Sequence, residues 1–211
     1  MGREIPLPDH GRLTFEAEGQ EGGRYHSRRL HVPGETSGLS LGRGYDMKRR
    51  TAGEVRRQLR AAGVSPAMAE LLAGAAGLRG GEARDFIAAH GLEDFEIDGE
   101  TQRRLFEIVY AEIVADTRRL STKPDVTAAY GPTDWARLHP VIAEVLVDLR
   151  YRGDYTPASR RFLQRHVAAN DLPAFAAALS DRALWPDVPP DRFRRRRDYC
   201  QAALAAATST A

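Results

Sequence analysis

Seven glycines fall between residues 19 and 50, at positions 19, 22, 23, 34, 38, 42 and 44. That density excludes a long helix and calls for tight turns between short strands. The predicted strands cover residues 25–32 and 39–45. Before them, residues 13–18 read as a short helix closed by Gly19, a residue that readily takes the left-handed closing conformation. Residues 1–12 are polar and contain proline, which predicts an extended arm. From Thr51 the pattern changes. Thr51 and Glu54 form a capping box, Val55, Leu59 and Ala62 share one helical face, and Gly63 is a stop signal. Ser65-Pro66 opens a second helix, and Gly80-Gly81 separates it from a third over residues 82–89. Asp98 caps a long helix over residues 99–120, with Leu105, Phe106, Val109, Ile113 and Val114 at helical spacing. Residues 121–133, rich in Thr, Pro and Gly, are the best internal linker. Pro140, Thr156-Pro157 and Pro190 start further helices, with a short one over 172–179 and a frayed tail over 208–211. Strands followed by a run of helices predict an α+β protein with a dominant helical lobe.

Composition narrows the class. With 211 residues and 42% hydrophobic content, the chain can bury one substantial domain, or one domain in two lobes. The net charge is only +2, although Lys and Arg number 31, so no global charge argument favours nucleic acid. The clusters Arg49-Arg50, Arg56-Arg57 and Arg194 to Arg197 read as solvated helix faces, or as attraction for an anionic polymer. The one cysteine, Cys200, excludes an internal disulfide and reads as a small core residue in an Ala-rich helix. No apolar run approaches a membrane span, and the N-terminus carries no secretory h-region. None of the six histidines sits in a metal-ligand spacing, so neither metal nor cofactor is expected. His26 and His31 fall near the β region and are candidates to line a cleft.

Glu18 stands at the end of the first predicted helix, where the negative end of the helix dipole favours a protonated acid. Glu16 and Glu21 are its neighbours and rivals. Asp46 follows the Gly-rich segment and reads equally as a turn-stabilising residue or as a second carboxylate. Two carboxylates across a cleft are the minimum apparatus for breaking a glycosidic bond.

Glu18-Gly19, His31-Val32-Pro33-Gly34, Ser37-Gly38-Leu39-Ser40 and Gly42-Arg43-Gly44-Tyr45-Asp46 together resemble the active-site region of pesticin-like muramidases, bacterial toxin relatives of phage-type lysozyme. Residues 97–106 resemble the start of the helix that joins the two lobes of that fold, and Trp185 and Arg192 resemble its late Trp and Arg. The resemblance covers roughly residues 12–205. It implies a lysozyme-like domain over residues 13–207: an N-terminal lobe with the β region (13–98), a connecting helix (99–120) and a helical lobe (121–207). It further implies cleavage of the β-1,4 bond between N-acetylmuramic acid and N-acetylglucosamine, with inversion. Glu18 would be the general acid. Asp46, six residues after Ser40, would be the second carboxylate, with Ser40 replacing the family's Thr and holding water beside it. The phage-type order instead points to Glu35. An inverting enzyme predicts carboxyl groups roughly 6.5–9.5 Å apart. Arg192 is expected to pair with Glu18, and Trp185 to support the site from the core. Tyr45, Arg150 and Tyr151 are cleft candidates for substrate.

On this reading the chain is a bacteriolytic toxin, secreted effector or phage-derived lysin. It is expected to be a monomer, made in the cytoplasm, delivered by a specialised secretion or lysis route, and acting on periplasmic peptidoglycan. With almost nothing before the lysozyme-like part, a receptor-binding and translocation part is not expected. An immunity protein that blocks the cleft is a plausible partner. The rivals are a catalytically weak glycan-binding module of the same fold, which the Ser40 replacement keeps alive, and a nucleic-acid-binding helical protein built on the Arg clusters.

Overall fold

The computed structural model describes residues 6–23 and 26–209. The chain divides into an N-terminal unit, residues 1–110, and a C-terminal unit, residues 111–211. The N-terminal unit opens with α1 (Arg12–Ala17), followed by a two-stranded antiparallel hairpin, β1 (Ser40–Leu41) and β2 (Tyr45–Asp46). Helices α2 (Ala52–Ala62), α3 (Pro66–Ala73) and α4 (Gly80–Ala89) come next. Then α5 (Gly99–Ser121) runs across the division. The C-terminal unit continues with α6 (Pro124–Tyr130), α7 (Pro140–Arg152), α8 (Pro157–Ala168), α9 (Leu172–Ser180), a 3-10 turn (Arg182–Leu184) and α10 (Pro190–Ser209). The described residues are thus mostly helical with one small sheet, an α+β arrangement.

Local chemistry explains the helix starts. The Thr51 side chain accepts the Glu54 N–H while the Glu54 carboxylate accepts the Thr51 N–H, so the box satisfies two donors that the first turn of α2 leaves open. Gly63 closes α2 in the left-handed conformation, φ 110°. Ser65, Thr156 and Asp171 cap α3, α8 and α9, each with proline in the first turn. In the N-terminal unit, α2 packs on α3. Phe15, Leu39, Leu41, Met47, Leu59 and Leu105 are buried there, and the rings of Phe15 and Phe106 meet edge to face at 5.0 Å. In the C-terminal unit, α9 packs against α8 and α10. Ile142, Leu146, Leu163 and Phe175 are fully buried, as is Cys200, whose thiol pKa is pushed up to about 12 by burial.

Several expectations need correction. Residues 121–133 are not a linker, because α6 occupies most of them; Pro124 at its first turn starts a helix instead of breaking one. Residues 39–45 are not one strand, since Gly42, Arg43 and Gly44 form the turn of a hairpin. Residues 25–32 contribute only isolated bridges at His26, Arg29 and His31, and Tyr25 lies outside the described residues. The extended arm loses Arg12 to α1, and its first five residues also lie outside the described part. At the far end, α10 runs through Ser209, and residues 210–211 are not described.

Candidate active site in the N-terminal unit

Glu18 is the C-cap of α1; its N–H donates to the Thr14 carbonyl at 2.9 Å, and the residue is half-buried. Gly19 does not take the left-handed closing conformation expected of it. Its reason is steric. A Cβ at Gly19 would lie 2.7 Å from Cγ of Arg43, closer than side-chain carbons approach.

The hairpin explains why Ser40 and Asp46 stand six apart. Leu41 pairs with Tyr45 across a three-residue turn, and Ser40 pairs with Asp46 beyond it. Gly42 and Gly44 take φ of 64° and 91°, which a turn this tight demands and side chains resist. Side chains alternate along a strand, so Ser40 and Asp46 share one face while Leu41 and Tyr45 share the other. Ser40 exchanges both backbone hydrogen bonds with His31, N to O at 3.0 and 2.8 Å. Ser40 and Asp46 therefore form the closer, non-hydrogen-bonded type of pair, with α-carbons about 4.5 Å apart. The Asp46 carboxylate accepts the Lys48 N–H at 2.7 Å and the Gly38 N–H at 3.3 Å. The Ser40 hydroxyl donates to the Gly38 carbonyl at 3.4 Å. A Cβ on Gly38 would stand 2.3 Å from an Asp46 carboxylate oxygen, so only glycine admits that carboxylate.

A cleft of about 900 Å³ in this unit is lined by Glu18, Ser40 and Asp46, together with His26, His31 and Glu93. The end of α1 and the hairpin thus bring an acid, a hydroxyl and a second carboxylate to one cavity. Both candidate histidines join them. His26 accepts the Gly22 N–H at Nδ1 (2.8 Å) and meets Glu96 through Nε2 (3.0 Å); His31 Nδ1 donates to the Arg29 carbonyl at 3.0 Å.

Other predicted residues go elsewhere. Glu35 is exposed and does not line the cleft; both its carboxylate oxygens accept from Nη2 of Arg84, at 2.7 and 2.8 Å. Tyr45 is fully buried: its hydroxyl donates to Gln58 at 2.9 Å and Arg50 stacks on its ring, so it packs the core face of the hairpin and offers no surface to a sugar. Of the rivals to Glu18, Glu16 pairs with Arg12 in solvent. Glu21 is a structural hub that accepts from Arg28, Arg43 and Gln102 at 2.9, 3.0 and 2.8 Å.

The remaining candidates belong to the C-terminal unit. Arg150 and Tyr151 sit on α7, where Arg150 donates to Asp116 at 2.6 Å. Trp185 is buried, its indole N–H donating to the Ala178 carbonyl at 3.0 Å. Arg192 is buried and grips the fully buried Asp148 at 2.6 and 3.1 Å, and Arg196, one turn on, grips the same carboxylate. The run Arg194 to Arg197 is therefore not a uniformly solvated face: Arg196 points into the core while Arg194 and Arg195 stay exposed.

Sequence reasoning passed over Arg43. It is only 5% exposed, although it occupies a hairpin turn, where a solvated side chain is the ordinary outcome. Its neighbouring glycines were the available signal. Among the described residues, no group of three His, Cys, Asp or Glu side chains is placed to hold a metal ion, and no helix is long and apolar enough to cross a membrane.

Residues 11–197 match a protein family described as Domain of unknown function (DUF8812). A search of curated proteins finds no match.

Proposed function

The chain belongs to this DUF8812 family, and we propose that it is a muramidase of lysozyme-like fold, similar to the pesticin-like enzymes, that cleaves peptidoglycan between N-acetylmuramic acid and N-acetylglucosamine. The observation that carries the proposal is the shared lining of one cleft by Glu18, Ser40 and Asp46. Glu18 protonates the glycosidic oxygen as the bond from the anomeric carbon to that oxygen breaks. A water held by Asp46 and Ser40 attacks the anomeric carbon from the opposite face, and its proton passes to Asp46. The local geometry suits this division. Two backbone N–H groups hold the Asp46 carboxylate in orientation. The Ser40 hydroxyl gives its proton to Gly38, which leaves its lone pairs to accept from water. A water donating to both residues keeps a lone pair for the attack. The expected outcome is inversion. Delivery as a toxin, effector or lysin to the periplasm, action as a monomer and control by an immunity protein belong to the same proposal.

The test is release of muropeptides from purified peptidoglycan, identified by mass. General acid or base catalysis contributes on the order of 10²–10⁴-fold, so Glu18→Gln and Asp46→Asn each lower the rate by at least about 10²-fold while Glu35→Gln keeps it. Loss in Glu35→Gln with an active Asp46→Asn moves the second carboxylate to Glu35. Binding of peptidoglycan by the wild type without products converts the reading to a glycan-binding module.

A further inference from the structure

We propose that Arg43 is the positioning residue for the Glu18 carboxyl, an inference that rests on the muramidase reading. Helix α1 has only six residues, no side-chain cap at its start and no basic residue in its last turn. A helix that short does not hold itself in water, and its last carbonyls need donors from elsewhere. Arg43 supplies them. From the tip of the hairpin its guanidinium donates to the Phe15 carbonyl, reaches the Gly19 carbonyl at 3.4 Å and pairs with the Glu21 carboxylate at 3.0 Å. It also lies over the Phe15 ring, 4.1 Å from its centre. These contacts fall on both sides of Glu18 in the chain. Glu21 is tied in turn to Gln102 on α5 and to Arg28. Gly19 completes the clamp, because any side chain there would occupy the space of the Arg43 stem. The same turn that sets Asp46 opposite Ser40 therefore reaches back and holds the segment carrying the acid. One buried arginine couples the two halves of the proposed catalytic set. Lysine cannot replace it fully, since an ammonium offers no planar fork to three acceptors.

The experiment measures kcat and KM on purified peptidoglycan for the wild type, Arg43→Gln, Arg43→Lys, Glu18→Gln and the double variant Arg43→Gln/Glu18→Gln, with thermal unfolding to show that each is folded. A catalytic group displaced by about 1 Å loses on the order of 10²-fold, so Arg43→Gln lowers kcat by about that factor with KM nearly unchanged, and Arg43→Lys recovers part of it. Because Arg43 acts through Glu18, the double variant is no slower than Glu18→Gln alone. A folded Arg43→Gln with wild-type kcat overturns the proposal, and so does an Arg43→Gln effect that persists in full when Glu18 is already replaced. If Arg43→Gln does not fold, a folded Arg43→Lys with wild-type kcat overturns it equally. A wild type that releases no muropeptides rejects the muramidase reading and this inference with it, whereas an active wild type beside an unaffected Arg43→Gln rejects the clamp alone.

Discussion

Ser40 is 6% exposed, and its hydroxyl makes one long hydrogen bond to a backbone carbonyl. Under the proposed reaction its contribution is one further hydrogen bond to the attacking water, worth about 1 kcal/mol. Ser40→Ala therefore lowers kcat roughly fivefold, far less than Asp46→Asn. Equal losses in the two variants would show that Ser40 does more than hold water. Glu21 carries a different prediction. Burial opposes its ionisation, but hydrogen bonds from Gln102, Arg43 and Arg28 outweigh burial and hold the carboxyl below its usual 4.5. A carboxyl depressed by folding stabilises the protein above its unfolded pKa and loses that contribution as pH falls through the folded value. Between about pH 6 and about pH 3.5 the wild type should lose more of its urea midpoint than Glu21→Gln does. Parallel losses would show that the three partners do not favour the ionised form. His26 was visible as a cleft candidate because it falls near the predicted β region. Its pairing with Glu96 was not visible, since the partner is 70 residues away.

Among the elements, α2 was the most legible. Its start, inward face and stop all rest on contacts within four residues, and each appears where the spacing put it. Losing a Thr N-cap costs about 1 kcal/mol, so Thr51→Ala should lower stability by that amount in chemical denaturation, while Thr51→Ser stays within a few tenths. An unchanged Thr51→Ala would mean that packing against α3 alone holds the first turn. The hairpin was half legible. Its glycines announced a turn, but strands only two residues long are too short to show an alternation, so the turn's position within residues 39–45 was blurred. That blur had a functional consequence. Placing the turn at residues 42–44 turns Tyr45 to the buried face and Asp46 to the cleft, and a shift of one residue would exchange them. The supposed linker at 121–133 failed for the opposite reason. Proline and glycine there mark the start and end of a short helix, and composition cannot separate a capped helix from a loop.

At the level of the molecule, the C-terminal unit carries a demanding ionic arrangement. Asp148 is fully buried between Arg192 and Arg196, and Arg196 also reaches Asp154 at 2.6 Å. Breaking a buried ion pair from one side strands the remaining charge and costs about 3–5 kcal/mol. Asp148→Ala should therefore reduce unfolding stability by that order or prevent folding, measured by denaturant titration. A loss below about 1 kcal/mol would place the pair in the weak class of solvent-exposed bridges. The basic run that invited a nucleic-acid reading is thus partly consumed within the unit itself.

By itself the sequence determined the local grammar: where helices start, where the chain must turn, and that Glu18, Ser40 and Asp46 lie in or beside the Gly-rich segment. Those features depend on φ, hydrogen-bond capping and side-chain period, all of which act over a few residues. Tertiary structure alone decided which candidates share a cavity, that Tyr45 is core, that Glu35 belongs to Arg84, and that Arg43 serves the acid-bearing segment. Burial and ion pairing are set by neighbours far along the chain, 28 residues for Arg43 and Phe15 and 44 for Arg192 and Asp148. An arginine reads the same in sequence whether water or a buried carboxylate will surround it, and only the folded packing makes that choice.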